Sequence, residues 1–297
     1  MNNKKVIDTA DFQKELDLIQ DRSSLLGDRF IALAMDYKDY IDASFKQDKI
    51  YTLRDGVLFR LFSANFHVKL LFDHLLFADQ RIKQEQGLGF NAGLYSRQIT
   101  ALFDSFIYHT VSVFDYLATL TNYISGTKKK EATLMWTQLA KSVRDENNAF
   151  SKTRFSEVID QIDRNFVCKL YDYRSFLIHR RTDMAGYKVT YTPGANEEIV
   201  AVIFAGKHLI KSFKDLKVLS EENDLTVRYV ALWILGRAID KITDILFSLK
   251  NEIESKSKGS EPMMTFVHPE TNERLSASVM YWNEIEYKRS RELPKSV

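Results

Sequence analysis

The sequence predicts an all-α protein, an antiparallel helical bundle with one small β-hairpin inserted late in the chain. Three observations point there. Apolar residues recur every three or four positions over long runs, the period of one helix face. Only 4 Pro and 11 Gly occur in 297 residues, too few breakers for turn-rich β structure. Finally, 45% of the residues are hydrophobic, with 20 Phe and 14 Tyr, ample material for a large core.

Taken in order, the first helical run extends from about residue 11 to 46. Leu26, Phe30, Leu33, Tyr37 and Ile41 mark its apolar face, and Gly27 allows either one helix or two with a bend. Asp55-Gly56 reads as punctuation before a second helix over about 57–83. Gly87, Gly89 and Gly93 mark a loop, with Asn91 as N-cap of a third helix ending at Ser125. Gly126 is its stop signal. Lys128-Lys129-Lys130 opens a shorter basic helix to about Arg144, and 145–152 reads as polar linker. A further helical stretch covers about 154–181. Residues 187–192 and 199–204 flank Pro193-Gly194 as the hairpin. A short helix over 206–220 and a last long one over about 225–254 follow. Beyond a polar break, 264–268 and 274–281 suggest a second hairpin around Pro269-Glu270-Thr271-Asn272. The expected organisation is an N-terminal helical extension (1–55), the bundle (56–255) and a C-terminal extension (256–297).

Composition excludes several classes. Lys+Arg total 42 against 40 Asp+Glu, a net charge of +2, so any basic surface must be local. Cys168 is the single cysteine, which rules out a disulfide framework and a cysteine zinc site and fits a reducing compartment. Met1-Asn2-Asn3-Lys4-Lys5 is not followed by an apolar stretch, so no signal peptide is read. The most apolar run, 57–78, is broken by Arg60, Lys69, Asp73 and two histidines, as in a core helix and not a membrane span. The expectation is a soluble cytoplasmic protein with no membrane association. No phosphate-binding glycine loop, dinucleotide fingerprint, nucleophile elbow or zinc-protease helix occurs. No cofactor and no metal are expected.

One segment carries chemistry: Tyr171-Asp172-Tyr173-Arg174-Ser175-Phe176-Leu177-Ile178-His179-Arg180-Arg181. On an ideal helix Phe166, Leu170, Tyr173 and Leu177 share one apolar face, with Val167, Tyr171 and Ile178 beside it. Arg174 falls inside that arc, where a guanidinium must snorkel or find an acceptor. His179 lies about 140° away, on the side of Asp172 and Ser175.

Arg174-Ser175-Phe176-Leu177-Ile178-His179 resembles the R-x4–6-H motif of HEPN domains, helical bundles that often act as ribonucleases. The resemblance covers roughly residues 57–254, and it departs from many catalytic members in placing Ser175 after the arginine. It implies a HEPN-like, RNA-directed protein, a metal-independent endoribonuclease working as a homodimer in a toxin–antitoxin or antiviral-defence setting, with an antitoxin protein as a further partner. Arg174 would hold the phosphate and His179 would act as acid or base, with Asp172 or Ser175 orienting it. Arg180, Arg181 and the stripe Lys207, Lys211, Lys214 would guide the RNA. The chemistry suits the residues, because imidazole titrates near neutrality and guanidinium offers permanent planar charge to a phosphate. The competing expectation is a non-catalytic helical binding or interaction module, with Arg174 as a structural ion-pair residue.

Other histidines read as structural. Arg60 and His67 fit the same spacing but lie early in a helix with more helix beyond. His67 and His74 share a stripe with Arg60 and Ser63, but seven residues rise about 10 Å, too far for one metal ion. That stripe reads as a polar face, solvated or lining a helix contact. His109, His208 and His268 read as isolated.

Overall fold

The computed structural model describes residues 4–8, 12–41, 49–84, 91–126, 133–180, 183, 186–192, 198–257, 265–267, 271–279 and 281–282. They are predominantly helical. In order they form β1 (Lys5–Ile7), α1 (Phe12–Tyr40), α2 (Lys49–Gln84), α3 (Ala92–Ser125), α4 (Trp136–Arg144) and α5 (Ser156–Ile162). Next come α6 (Cys168–Arg180), β2 (Tyr187–Thr192), β3 (Glu198–Ile203), α7 (Lys207–Ser212) and α8 (Lys214–Glu222). The series closes with β4 (Asn223–Leu225), α9 (Val227–Lys256), β5 (Thr265–Val267) and β6 (Arg274–Ser276). The chain divides into two compact units, each assembled from three stretches. One holds Met1–Gln20, Arg60–Ser112 and Arg164–Ala238, and the other Asp21–Phe59, Val113–Asp163 and Ile239–Val297.

The first unit is built on the parallel pairing of β1 with β4, Lys5 to Asn223 through Ile7 to Leu225. Asp8 extends that link by accepting from the Thr226 hydroxyl at 2.8 Å and pairing with Arg228 at 2.7 Å. The hairpin β2–β3 is antiparallel, with Tyr187 opposite Ile203 and Thr192 opposite Glu198, as the β-branched runs around Pro193-Gly194 predict. Its exit is tied back by a bridge between Phe204 and Thr226. Phe213 anchors this unit's core between Phe166, at 5.8 Å between ring centroids, and Trp233, at 5.2 Å.

The second unit packs Leu26, Phe30, Leu33 and Tyr37 of α1 into a core with Phe114, Leu117, Trp136, Ile242 and Leu249, all essentially inaccessible. Its buried acids are matched to donors. Asp163 accepts from the Trp136 indole at 2.8 Å and pairs with Arg144 at 2.5 Å. Glu252 pairs with Lys256 at 3.0 Å and accepts from the Arg154 backbone N–H at 3.0 Å. Asp36 accepts from the Trp282 indole at 2.7 Å, and burial nonetheless raises its pKa above the usual carboxylate value.

Several boundaries differ from the sequence pattern. Gly27 does not divide the first helix, and α1 runs unbroken through it. Asp55-Gly56 lies inside α2 and does not precede it. Gly56 is there for contact: a Cβ would meet the Tyr116 ring at 2.8 Å, so the residue read as a breaker permits close approach of α2 and α3. Helix α4 starts at Trp136, with 133–135 non-helical, and Asp115 caps it by accepting from the Trp136 N–H at 3.0 Å. The stretch read as polar linker makes a 3₁₀ turn, Ala149–Lys152, around a fully buried Phe150. The helical run into the motif is interrupted by a π-helical turn, Asp163–Val167.

Other expectations hold. Asn91 accepts from the Leu94 N–H at 2.9 Å as an N-cap does, and Gly126 terminates α3 at φ +62°. The second hairpin forms with Thr265 opposite Ser276 and Val267 opposite Arg274, but its second strand ends at Ser276, and 277–279, expected as strand, are helical. Among the described residues, no helix is long and apolar enough to cross a membrane.

Candidate functional site

Leu170, Tyr173 and Leu177 of α6 turn inward together with Phe166 of the π-helical turn before it, the face the spacing predicts. The neighbouring face opens outward along the helix: Val167 is buried, Tyr171 is half-buried, and Ile178 is 53% exposed. Arg174 sits at that margin, half-buried. Its guanidinium lies 5.6 Å from the Tyr108 ring centroid on α3 and 5.8 Å from that of Tyr171. Two aromatic faces thus hold the charge by cation–π attraction. His179, Asp172 and Ser175 are exposed. Among the described residues neither Asp172 nor Ser175 hydrogen-bonds His179. The Arg180 side chain and Arg181 lie outside the described residues.

Helix α7 packs beside α6. The His208 ring lies flat on Phe176, 3.9 Å between centroids and 8° between planes, and stacks on Tyr173 at 6.2 Å. Lys207 and Lys211 are exposed on this short helix. The expected stripe ending at Lys214 is not continuous, however. Phe213 adopts extended backbone, φ −111° and ψ 123°, so Lys214 opens α8. Burying Phe213 between Phe166 and Trp233 breaks the helix that the lysine spacing assumed. Opposite the lysines, Leu209, Phe213 and Leu216 are all buried.

Sequence reasoning missed a small pocket of about 20 Å³ lined by Thr100, Asp104, Tyr173, Asp183 and Gly206. Asp183 caps α7, accepting from the Leu209 N–H at 3.0 Å and the His208 N–H at 3.4 Å. The buried Tyr173 hydroxyl donates to the same carboxylate. Burial first, then Asp183 and Asp104, pushes the Tyr173 pKa up, so it stays a phenol at any ordinary pH. Asp104 is raised to about 6 by burial and by the charge of Asp183. Gly206 is fixed by this arrangement, since a Cβ there would stand 2.0 Å from Asp183 Oδ2 and 2.6 Å from its backbone oxygen. Only Gly206 carried a sequence signal, and it read as a helix start.

The α2 histidines line the contact with α3. His74 Nε2 is 2.9 Å from Gln98 Oε1, and its ring stacks on Tyr95 at 5.3 Å. His67 lies 4.7 Å from His109 between ring centroids. His109 is therefore not isolated, and neither is His208; each lies against a ring that is distant in sequence. His268 lies outside the described residues. Among the described residues no group of three or more His, Cys, Asp or Glu is placed to hold a metal ion.

No family model, curated protein or solved structure matches this chain.

Proposed function

We propose that the protein is a HEPN-like, RNA-directed protein that cleaves single-stranded RNA without metal, as a homodimer. The observation that carries the reading is the stack of His208 on Phe176, which sets Lys207 and Lys211 beside the helix bearing Arg174 and an exposed His179. Exposed lysines and an exposed imidazole are then carried by two adjacent helices of one unit.

Within one copy the pair is incomplete. Five residues along α6 separate Arg174 from His179 by about 7.5 Å of rise and about 140° of rotation. A second copy supplies the missing half, with Arg174 of one protomer facing His179 of the other across the scissile phosphate. His179 takes the 2′-hydroxyl proton, and the 2′-oxygen attacks the adjacent 3′-phosphorus while the 5′-oxygen leaves with a proton given by the His179 of the second copy or by water. Arg174 neutralises the charge that gathers on the phosphoryl oxygens. The products are a 2′,3′-cyclic phosphate and a 5′-hydroxyl, and the cycle requires no metal. A toxin or antiviral-defence role, with an antitoxin partner, belongs to the same proposal.

The test is incubation of labelled single-stranded RNA with wild type and His179→Ala in EDTA. Cleavage by wild type that falls at least a hundredfold in the variant is expected. Equal cleavage by both proteins sinks the reading. A second reading, a non-catalytic binding module, draws on one observation. The seat of Arg174 on Tyr108 and Tyr171 gives it a packing role of its own. That reading expects Arg174→Ala to lower stability while no cleavage occurs in either protein.

A further inference from the structure

Helix α2 carries apolar residues on two opposite sides. Leu61, Val68, Leu71 and Leu75 turn into the core of the protein, none more than 5% exposed. About 160° round the helix a second stripe faces solvent: Phe62, Phe66, Lys69, Asp73, Leu76 and Gln80, all exposed and all in the first unit. Its steps run four, three, four, three and four residues, the alternation of a seam along which two helices pair lengthwise. Phe62 is 65% exposed, Phe66 46% and Leu76 59%, and Phe77, next to Leu76, is 53% exposed. The Phe62 and Phe66 rings lie nearly parallel, 14° between planes and 6.3 Å between centroids, as one flat apolar face. Scattered exposed apolar residues need no explanation. These follow one seam, and the three rings together offer on the order of 300 Å² to a partner.

The middle of the seam selects its occupant. Lys69 and Asp73 stand one turn apart with opposite charge, and apolar residues lie on either side of them. A purely apolar partner would strip water from both charges and return nothing. A second copy laid antiparallel satisfies both with one two-fold rotation. Lys69 of each helix then meets Asp73 of the other, and the same register sets Phe66 on Leu76 and Phe62 on Gln80. A parallel copy would place lysine on lysine and aspartate on aspartate, so the charges reject that direction. The surface is self-complementary, as a two-fold interface requires.

We propose that the outer face of α2 is the docking surface for a second copy of the chain, the two helices packed antiparallel over residues 62–80 with two Lys69–Asp73 pairs at the centre. The phenylalanines and Leu76 supply the apolar area, and the charged pairs fix direction and register. His67 and His74 stay on the flank of α2 that meets α3. The reading of α6 calls for two copies without saying what holds them together. None of its residues is used here, and a module that cleaves nothing would pair in the same way.

Sedimentation equilibrium of the full chain at micromolar concentration should give twice the chain mass. Phe66→Ala should weaken self-association about tenfold. Lys69→Asp sets carboxylates face to face and Asp73→Lys sets ammonium groups face to face, so each alone should weaken self-association by about tenfold or more. An equimolar mixture of the two variants should associate again, and so should the chain that carries both exchanges. Because these positions are exposed, an unchanged far-UV helicity shows that the seam and not the fold is affected. Direction is read by zero-length carbodiimide coupling in a mixture of light and heavy-nitrogen copies, which should join Lys69 of one copy to Asp73 of the other. A monomeric wild type, a dimer indifferent to both reversals, a mixture that stays apart, or coupling of Lys69 only to other carboxylates of the second copy each overturn the proposal. A dimer that cleaves no RNA keeps this proposal and sinks the reading of α6. Cleavage by a dimer indifferent to both reversals does the opposite.

Discussion

In the second unit, buried Asp163 meets an indole N–H and a guanidinium, and buried Glu252 meets an ammonium and a backbone N–H. In the first, Asp104 faces the carboxylate of Asp183, and His109 faces the charges of His67 and Arg60. The first unit has ordinary ion pairs too, Asp8 with Arg228 and Asp215 with Arg237, but its α2–α3 seam and its α6–α7 pocket put like beside like. Opposite charges satisfied in place hold a scaffold together. Like charges in close quarters are costly unless a proton or a ligand relieves them, and they collect where chemistry or binding occurs. The residues of the α6 motif fall in that same unit.

The sharpest way to break this contrast is Asp163→Ala. It leaves the Trp136 indole without its acceptor inside the core and removes one of the two partners of Arg144, which keeps Asp160. The expected loss is about 3 kcal/mol by urea denaturation, at the lower end for breaking a buried charged network because Arg144 is a third exposed. Asp163→Asn, which keeps an acceptor for the indole, should lose less. A change within about 0.5 kcal/mol for Asp163→Ala would show that the second unit does not depend on its matched pairs.

The pocket of the first unit gives a smaller, pH-dependent effect. Asp104 has a folded pKa of about 6 against the 3.8 of an ordinary aspartate. Folding therefore favours its neutral form. That contribution is fully present below about pH 3.8, is lost as pH rises to about 6, and above that the charged group opposes the fold. Asp104→Asn should be more stable than wild type at pH 8 and lose its advantage as pH falls through 6 towards 4. Thermal midpoints of both proteins across that range are the measurement. A constant difference at every pH would mean that Asp104 does not titrate against Asp183, and the contrast between the units would lose this half.

The sequence exposed periodic features well and converging ones poorly. Both hairpins, the Asn91 cap, the Gly126 stop and the inward face of α6 each depend on residues within a few positions of one another, so pattern and turn chemistry suffice. Strands β1 and β4 are three residues long, too short for alternation to register, and they pair across most of the chain. The break at Phe213 is a tertiary effect, in which burying one ring between Phe166 and Trp233 overrides a helical lysine spacing. For the site, α6 was legible because its residues are consecutive. The Asp104–Asp183 pocket and the His67–His109 stack were not, since each joins residues from different helices or loops and neither partner carries a local motif.

The smallest expected effect concerns two glycines of the second unit that the sequence read alike, as breakers, and that packing separates. A Cβ at Gly27 would have nothing within 4 Å, so Gly27→Ala should gain about 0.5–1 kcal/mol from helix propensity alone. At Gly56 the same gain is opposed by the Tyr116 ring, 2.8 Å from the added Cβ. That ring is 39% exposed and can swing outward, so Gly56→Ala should fall short of Gly27→Ala without collapsing the fold. Paired urea titrations of the two variants measure the difference. The division between the units is sharpened if Gly27→Ala gains stability while RNA cleavage stays at the wild-type rate, because a change confined to scaffold should act on folding alone. A drop in cleavage on stiffening α1 would mean that activity draws on the second unit as well, and the contrast in buried charge would no longer separate structure from function.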